Sequence, residues 1–168
     1  MNTALGGLFS SRINMNLREE HGYSYGAFSF FRYRRGVGFF LTGGAIRTDA
    51  TAPAARELFK ELKRVRESEL TPNELKKSKD SFSKTLVGNF ETTEAISSTI
   101  GFQFVFGLPL EYYRDLPAQI DKVSSADTLR VAKEYLHPDA MIVVAAGDRA
   151  KIEPGLKELN VGEVKVVK

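Results

Sequence analysis

Residues 23–46 read YSYGAFSFFRYRRGVGFFLTGGAI, and the organisation of the whole chain turns on this stretch. Its first part is crowded with aromatics: Tyr23, Tyr25, Phe28, Phe30, Phe31 and Tyr33. Large flat side chains suit a pleated, half-buried surface, so a strand is expected over about 23–33. Arg34-Arg35-Gly36 then reads as a hairpin turn, and Gly38 to Ile46 as the returning strand. Alternation along a strand would place Tyr23, Tyr25 and Phe31 on one face. There Tyr23 and Phe31 would line a cavity beside Tyr25, or pack in a core as hairpin aromatics ordinarily do.

Outward from the hairpin the pattern changes to helical spacing. Upstream, residues 3–20 read as a helix broken near Gly6-Gly7, with Gly22 as its stop, since glycine tolerates the left-handed geometry that ends helices. Downstream, Ala55, Leu58, Phe59, Leu62 and Val65 recur every three or four residues and form one apolar stripe. Thr71-Pro72-Asn73-Glu74 has the signature of a helix start: an N-cap threonine, proline at the first helical position, and a glutamate three residues after the cap. That helix is expected to reach about Phe90, with others over 93–106, 111–122 and 124–136, the last capped by Ser124 and Asp127.

His137-Pro138-Asp139 reads as a turn, and residues 140–146 form a continuous apolar run of strand length, as a buried central strand would. A short helix over 149–158 and a strand near 163–167 complete the chain. The order of elements predicts an α+β sandwich, a mostly antiparallel sheet with helices packed on one face. So few strands make a small sheet for this much helix, and the chain opens as though inside a helix. A first strand is therefore expected upstream.

Bulk properties narrow the function. The 168 residues fit one domain, with 24 basic against 21 acidic residues and charges interspersed. A nucleic-acid-binding domain would gather a stronger basic bias on one face than Arg32, Arg34 and Arg35 supply. Without cysteine the chain has no disulfide, thiolate nucleophile or thiolate metal ligand. No apolar stretch is long enough for membrane insertion. Met1-Asn2-Thr3 does not begin a signal peptide, which carries no weight if the chain continues a longer precursor.

The segment from Leu5 to Tyr25, LGGLFSSRINMNLREEHGYSY, carries a glycine pair, Ser10-Ser11-Arg12, the pair Arg18-Glu19, then Gly22 and Tyr25, seven positions after Arg18. It resembles the signature of the second, zinc-free homologous domain of insulinase/pitrilysin-type (inverzincin) zinc metallopeptidases. Arg47-Thr48-Asp49, Leu70 to Leu75, Phe90-Glu91-Thr92, Gly107-Leu108-Pro109, Tyr112-Tyr113 and Gly147-Asp148 extend the likeness in order along the chain. The resemblance implies a domain like those of mitochondrial processing peptidase, and a single domain over 1–168 that is a fragment of a longer two-domain protein.

It also implies a division of labour. A homologous partner domain, fused or separate, would carry zinc on an H-x-x-E-H motif, where the metal polarises the scissile carbonyl and acidifies its bound water. This chain has only His21 and His137, neither in such a motif, so it is expected to bind no zinc and to be inactive alone. His21 reads as a solvated residue at a helix end. By the resemblance, Arg18 and Tyr25 would reach an extended peptide substrate, the guanidinium donating to a backbone carbonyl and the phenol to the developing oxyanion. The residues alone also allow Arg18 in a surface ion pair and Tyr25 in sheet packing. The alternative function is a structural subunit of the same fold, like the core proteins of respiratory complex III. Keeping both Arg18 and Tyr25 favours the peptidase partner. The family is compatible with a bacterial periplasmic or secreted location and with dimers.

Overall fold

The computed structural model describes residues 1–167. Strands β1 (Ser24–Arg32) and β2 (Phe39–Ile46) pair antiparallel, with Phe31 opposite Phe40 and Phe28 opposite Gly43. Helices α1 (Arg12–Asn14), α2 (Thr51–Glu67), α3 (Pro72–Gly88), α4 (Thr93–Phe106), α5 (Tyr112–Lys122), α6 (Ser125–Tyr135) and α7 (Arg149–Glu158) account for most of the rest. The hairpin has two unlike faces. Ala27, Phe31, Phe40 and Ile46 pack inward on the helices, while Phe28, Phe30, Phe39 and Leu41 face outward. The arrangement is α+β, with the helices on one side of the sheet, as expected.

The N-terminal helix breaks where the glycines predict, but in an unusual form. Thr3–Gly7 is a wide, π-helical turn, the backbone extends at Leu8, and α1 then runs into a second π-helical stretch, Met15–Glu20. Gly6 lies directly on β1, where an added Cβ would come within 2.6 Å of the Ser29 backbone nitrogen. Only glycine permits that approach. Gly22 ends the second stretch at φ +62°, the left-handed stop read from the sequence.

Beneath the hairpin, Ala54, Leu62 and Val65 of α2 close over Leu5, Ile13 and Leu17, joined by Ala132 of α6 and by Leu136 just after it. Both predicted capping boxes form. Thr71 Oγ1 accepts from the Glu74 N–H at 3.2 Å, and Ser124 Oγ from the Asp127 N–H at 3.1 Å. A long-range clamp adds to the first. Arg12 donates to both oxygens of Glu74, at 2.6 and 3.0 Å, tying the start of α1 to the first turn of α3. This forked pair pulls the Glu74 carboxyl down to about 2.

Two predicted strands do not form. Residues 141–146 follow a 3₁₀ turn at Pro138–Ala140 but join no sheet, and Ile142 and Val144 are 90% and 88% exposed. Residues 163–167 likewise form no strand. A strand takes its backbone bonds from a neighbour, and the described sheet contains β1 and β2 alone. Apolar composition gave the run its strand character, but nothing among the described residues pairs with it.

Candidate functional site

The turn from helix to strand at Gly22 brings the two ends of the motif together. The Arg18 guanidinium carbon lies 5.1 Å from the centre of the Tyr25 ring and 4.3 Å from that of Phe9. Arg18 is thus held between two aromatic faces, an attraction between the cation and the ring quadrupoles. Its Nε also pairs with Glu19 at 3.3 Å, so the surface ion pair weighed from the sequence is present too. Tyr25 is 86% exposed and so is not packed into the sheet. Phe9, also exposed, was not singled out from the sequence, and a lone aromatic beside a Ser-Ser-Arg motif gives little signal of its own.

A bulge is what turns Tyr25 outward. Ser24 lies opposite Ile46 and Ala27 opposite Gly44, so β1 spends one residue more than β2 over this interval. The extra residue breaks the alternation that would have put Tyr23, Tyr25 and Phe31 on one face. Instead Tyr23 and Phe31 pack against the core, Tyr23 stacked on His21 at 4.8 Å and Phe31 tilted on Phe40 at 5.0 Å. The shared face expected from the sequence is therefore corrected: of the three aromatics, Tyr25 alone is exposed.

Two polar side chains build the bulge. Asn14 donates through Nδ2 to the Ala27 carbonyl and accepts the Ala27 N–H at Oδ1, 2.8 Å away. Its amide acts as a short piece of strand beside β1. Ser24 Oγ accepts the Gly26 N–H at 3.0 Å and approaches the carbonyls of Gly26 and Ala45 at 2.7 and 2.9 Å. Neither residue stands out in the sequence, although a buried asparagine inside a helix hints at such a task.

Below the site, Asn16 donates to Glu57 at 2.9 Å and to the buried Glu61 at 3.1 Å. The Asn16 bond is the main reason the Glu57 carboxyl lies below its ordinary range, with Lys60 assisting. His21 Nε2 approaches Glu57 at 4.0 Å, and His137 is an exposed turn residue. Among the described residues no group of three or more His, Cys, Asp or Glu side chains is placed to hold a metal ion. The donors present do not fit a zinc centre.

Residues 1–82 match the family profile of the peptidase M16 inactive domain. An uncharacterized zinc protease of Streptomyces coelicolor is 28% identical over 137 residues, covering 81% of this chain and 30% of that protein. Among solved structures, a peptidase M16 inactive domain from Pseudomonas fluorescens superposes with a TM-score of 0.75 at 21% identity, covering 82% of this chain and 33% of the other. A protease from Helicobacter pylori gives 0.69 at 24% identity, with the same coverage of both chains. The first 82 residues are thus similar to the inactive domain of the M16 peptidases, and the chain has the fold of such domains. It spans about a third of the length of these relatives.

Proposed function

We propose that this domain is the non-catalytic, substrate-facing half of a zinc endopeptidase, working with a homologous zinc-bearing domain that is fused to it or separate. Arg18 and Tyr25 are its contribution to the substrate. The observation that carries the reading is the exposed stack of Phe9, Arg18 and Tyr25, raised on a bulge that Asn14 and Ser24 hold in place. A scaffold has no use for a tyrosine so displayed.

The chemistry follows from the donors. Stacking occupies the faces of the guanidinium and Glu19 its Nε edge, which leaves the terminal NH₂ groups to a carbonyl of an extended peptide. The Tyr25 phenol would donate to the oxygen that becomes negative as the partner's zinc-bound water attacks. Tyr23 and Phe31 then serve from below, as the packing under the strand.

The test is a reconstitution. The chain alone is expected to leave unfolded peptides intact and to carry well under one equivalent of zinc by metal analysis. Mixed with or fused to a cognate H-x-x-E-H domain, it should support cleavage. Chelator-sensitive turnover by the chain alone would sink the proposal.

A further inference from the structure

The outward face of the hairpin carries a row of aromatic rings left partly open to water. Phe28 stacks on Phe30 with 5.9 Å between ring centres, and Phe30 meets Phe39 across the strands at 6.4 Å. Their side chains are 44%, 38% and 40% exposed. At each end of the hairpin a guanidinium lies on a ring. At the bulged end it is Arg18, against Phe9 and Tyr25. At the tip it is Arg34, whose guanidinium carbon is 5.0 Å from the centre of Phe39. Arg32 and Arg35 stand on either side of Arg34 in the chain. All three are exposed, and none enters an ion pair among the described residues. Arg34 and Arg35 also line a cavity of about 450 Å³ together with Phe104 and Val105 of α4.

We propose that this strip is a second recognition site for the substrate, one that takes a peptide apolar where it crosses the rings and acidic where it reaches the tip. The inference rests on the substrate-facing reading of Arg18 and Tyr25 and names the class of peptide. Unpaired guanidiniums select the acid, because a carboxylate accepts from their forked donors. With one face of Arg34 against Phe39, its donor edges are what it offers. The rings select apolar side chains, which gain by leaving water. Seven steps along β1 separate Tyr25 from Arg32. With one step taken up by the bulge, that is about 20 Å at about 3.3 Å each, so the acid stands about six or seven residues from the one held at Tyr25. Arginine beside phenylalanine also suits a bilayer surface. The cavity at Arg34 and Arg35 favours the peptide, because it is concave and of side-chain size.

Fluorescence anisotropy on the 168-residue chain tests it with labelled dodecapeptides. These are the acidic GSAFTVSVADEE, the neutral GSAFTVSVANQQ and the basic GSAFTVSVAKKK, each also made in reverse, because the strip fixes the spacing and not the direction. In one direction or the other, the acidic peptide should bind about fivefold to tenfold tighter than the neutral one at low salt, the sum of two or three exposed ion pairs. That advantage should shrink at about 0.5 M salt. Arg34→Glu combined with Arg35→Glu should abolish it and pass it to the basic peptide, an exchange that a misfolded chain would not make. Phe30→Ser should weaken all three peptides alike. Three results would overturn the proposal: no preference for the acidic peptide, an equal preference in the double variant, or affinities indifferent to Phe30→Ser. In the first case, co-sedimentation with phosphatidylserine vesicles that the double variant abolishes would assign the strip to a membrane instead. Binding is read without zinc or turnover, so the two readings fail separately. A failure here leaves Arg18 and Tyr25 their roles, and wild-type kinetics in their variants would remove those roles without touching the charge preference.

Discussion

Between Thr3 and Leu75 most large aliphatic side chains outside the hairpin's Val37 and Leu41 are put away: Leu5, Ile13 and Leu17 are fully buried, Leu62 and Val65 nearly so. Between Phe82 and Val167 the balance reverses. Phe104 is 87% exposed, and Ile100, Leu110, Ile142 and Val144 also lie largely in water. The halves do not differ in how apolar they are, but in what stands against them. In the first, hairpin, helix and α2 cover one another, and side chains such as Arg12, Asn14 and Asn16 reach across to lock them. In the second, α4 carries apolar side chains on more than one face, and Ile96, Ile100, Phe102, Phe104 and Val105 among them lie exposed. The chain spans about a third of the length of its Streptomyces and Pseudomonas relatives.

Core truncation should separate the halves most strongly. Leu62→Ala removes a buried anchor beneath the hairpin and is expected to cost about 2–5 kcal/mol in urea unfolding. Phe104→Ser should stay within about 0.5 kcal/mol. Equal losses at the two positions would mean that α4 is packed in solution, and the contrast would fail.

Within the first half, display can be set against support. In the reconstituted enzyme Tyr25→Phe should lower kcat by about 10²–10³, equivalent to about 2.7–4 kcal/mol of transition-state stabilisation, with the melting temperature unchanged. Arg18→Ala should raise KM and lower kcat/KM. Wild-type kinetics in both variants would favour a scaffold. Asn14→Ala, by contrast, should cost about 1–3 kcal/mol of stability, because the Ala27 N–H and carbonyl lose their partner. It should also reduce activity by letting the bulge relax, so a variant that keeps full activity would separate Asn14 from the display of Tyr25.

The smallest effect is expected at the clamp between α1 and α3. Glu74 titrates near 2 when folded and near about 4.3 when unfolded. Its contribution is therefore complete above the unfolded value and is lost as pH falls through the folded one. Urea midpoints of the wild type should fall more steeply below about pH 4.3 than those of Glu74→Gln. Parallel acid limbs would show that the Arg12 pair contributes nothing.

What was legible in the sequence was whatever a few neighbouring residues settle among themselves. The glycine stop at Gly22, the capping boxes at Thr71 and Ser124, and the hairpin around Arg34-Arg35-Gly36 all rest on bonds or turns spanning a handful of positions. The motif also put Arg18 and Tyr25 within reach of one another, because one helix end and one turn separate them. Tertiary structure decided the rest. The outward turn of Tyr25 depends on Asn14 holding Ala27, and the clamp on α3 on residues 62 apart. The fate of 140–146 depends on a neighbouring strand that no local pattern supplies. An apolar run states what it would bury, and only the surrounding chain determines whether anything covers it.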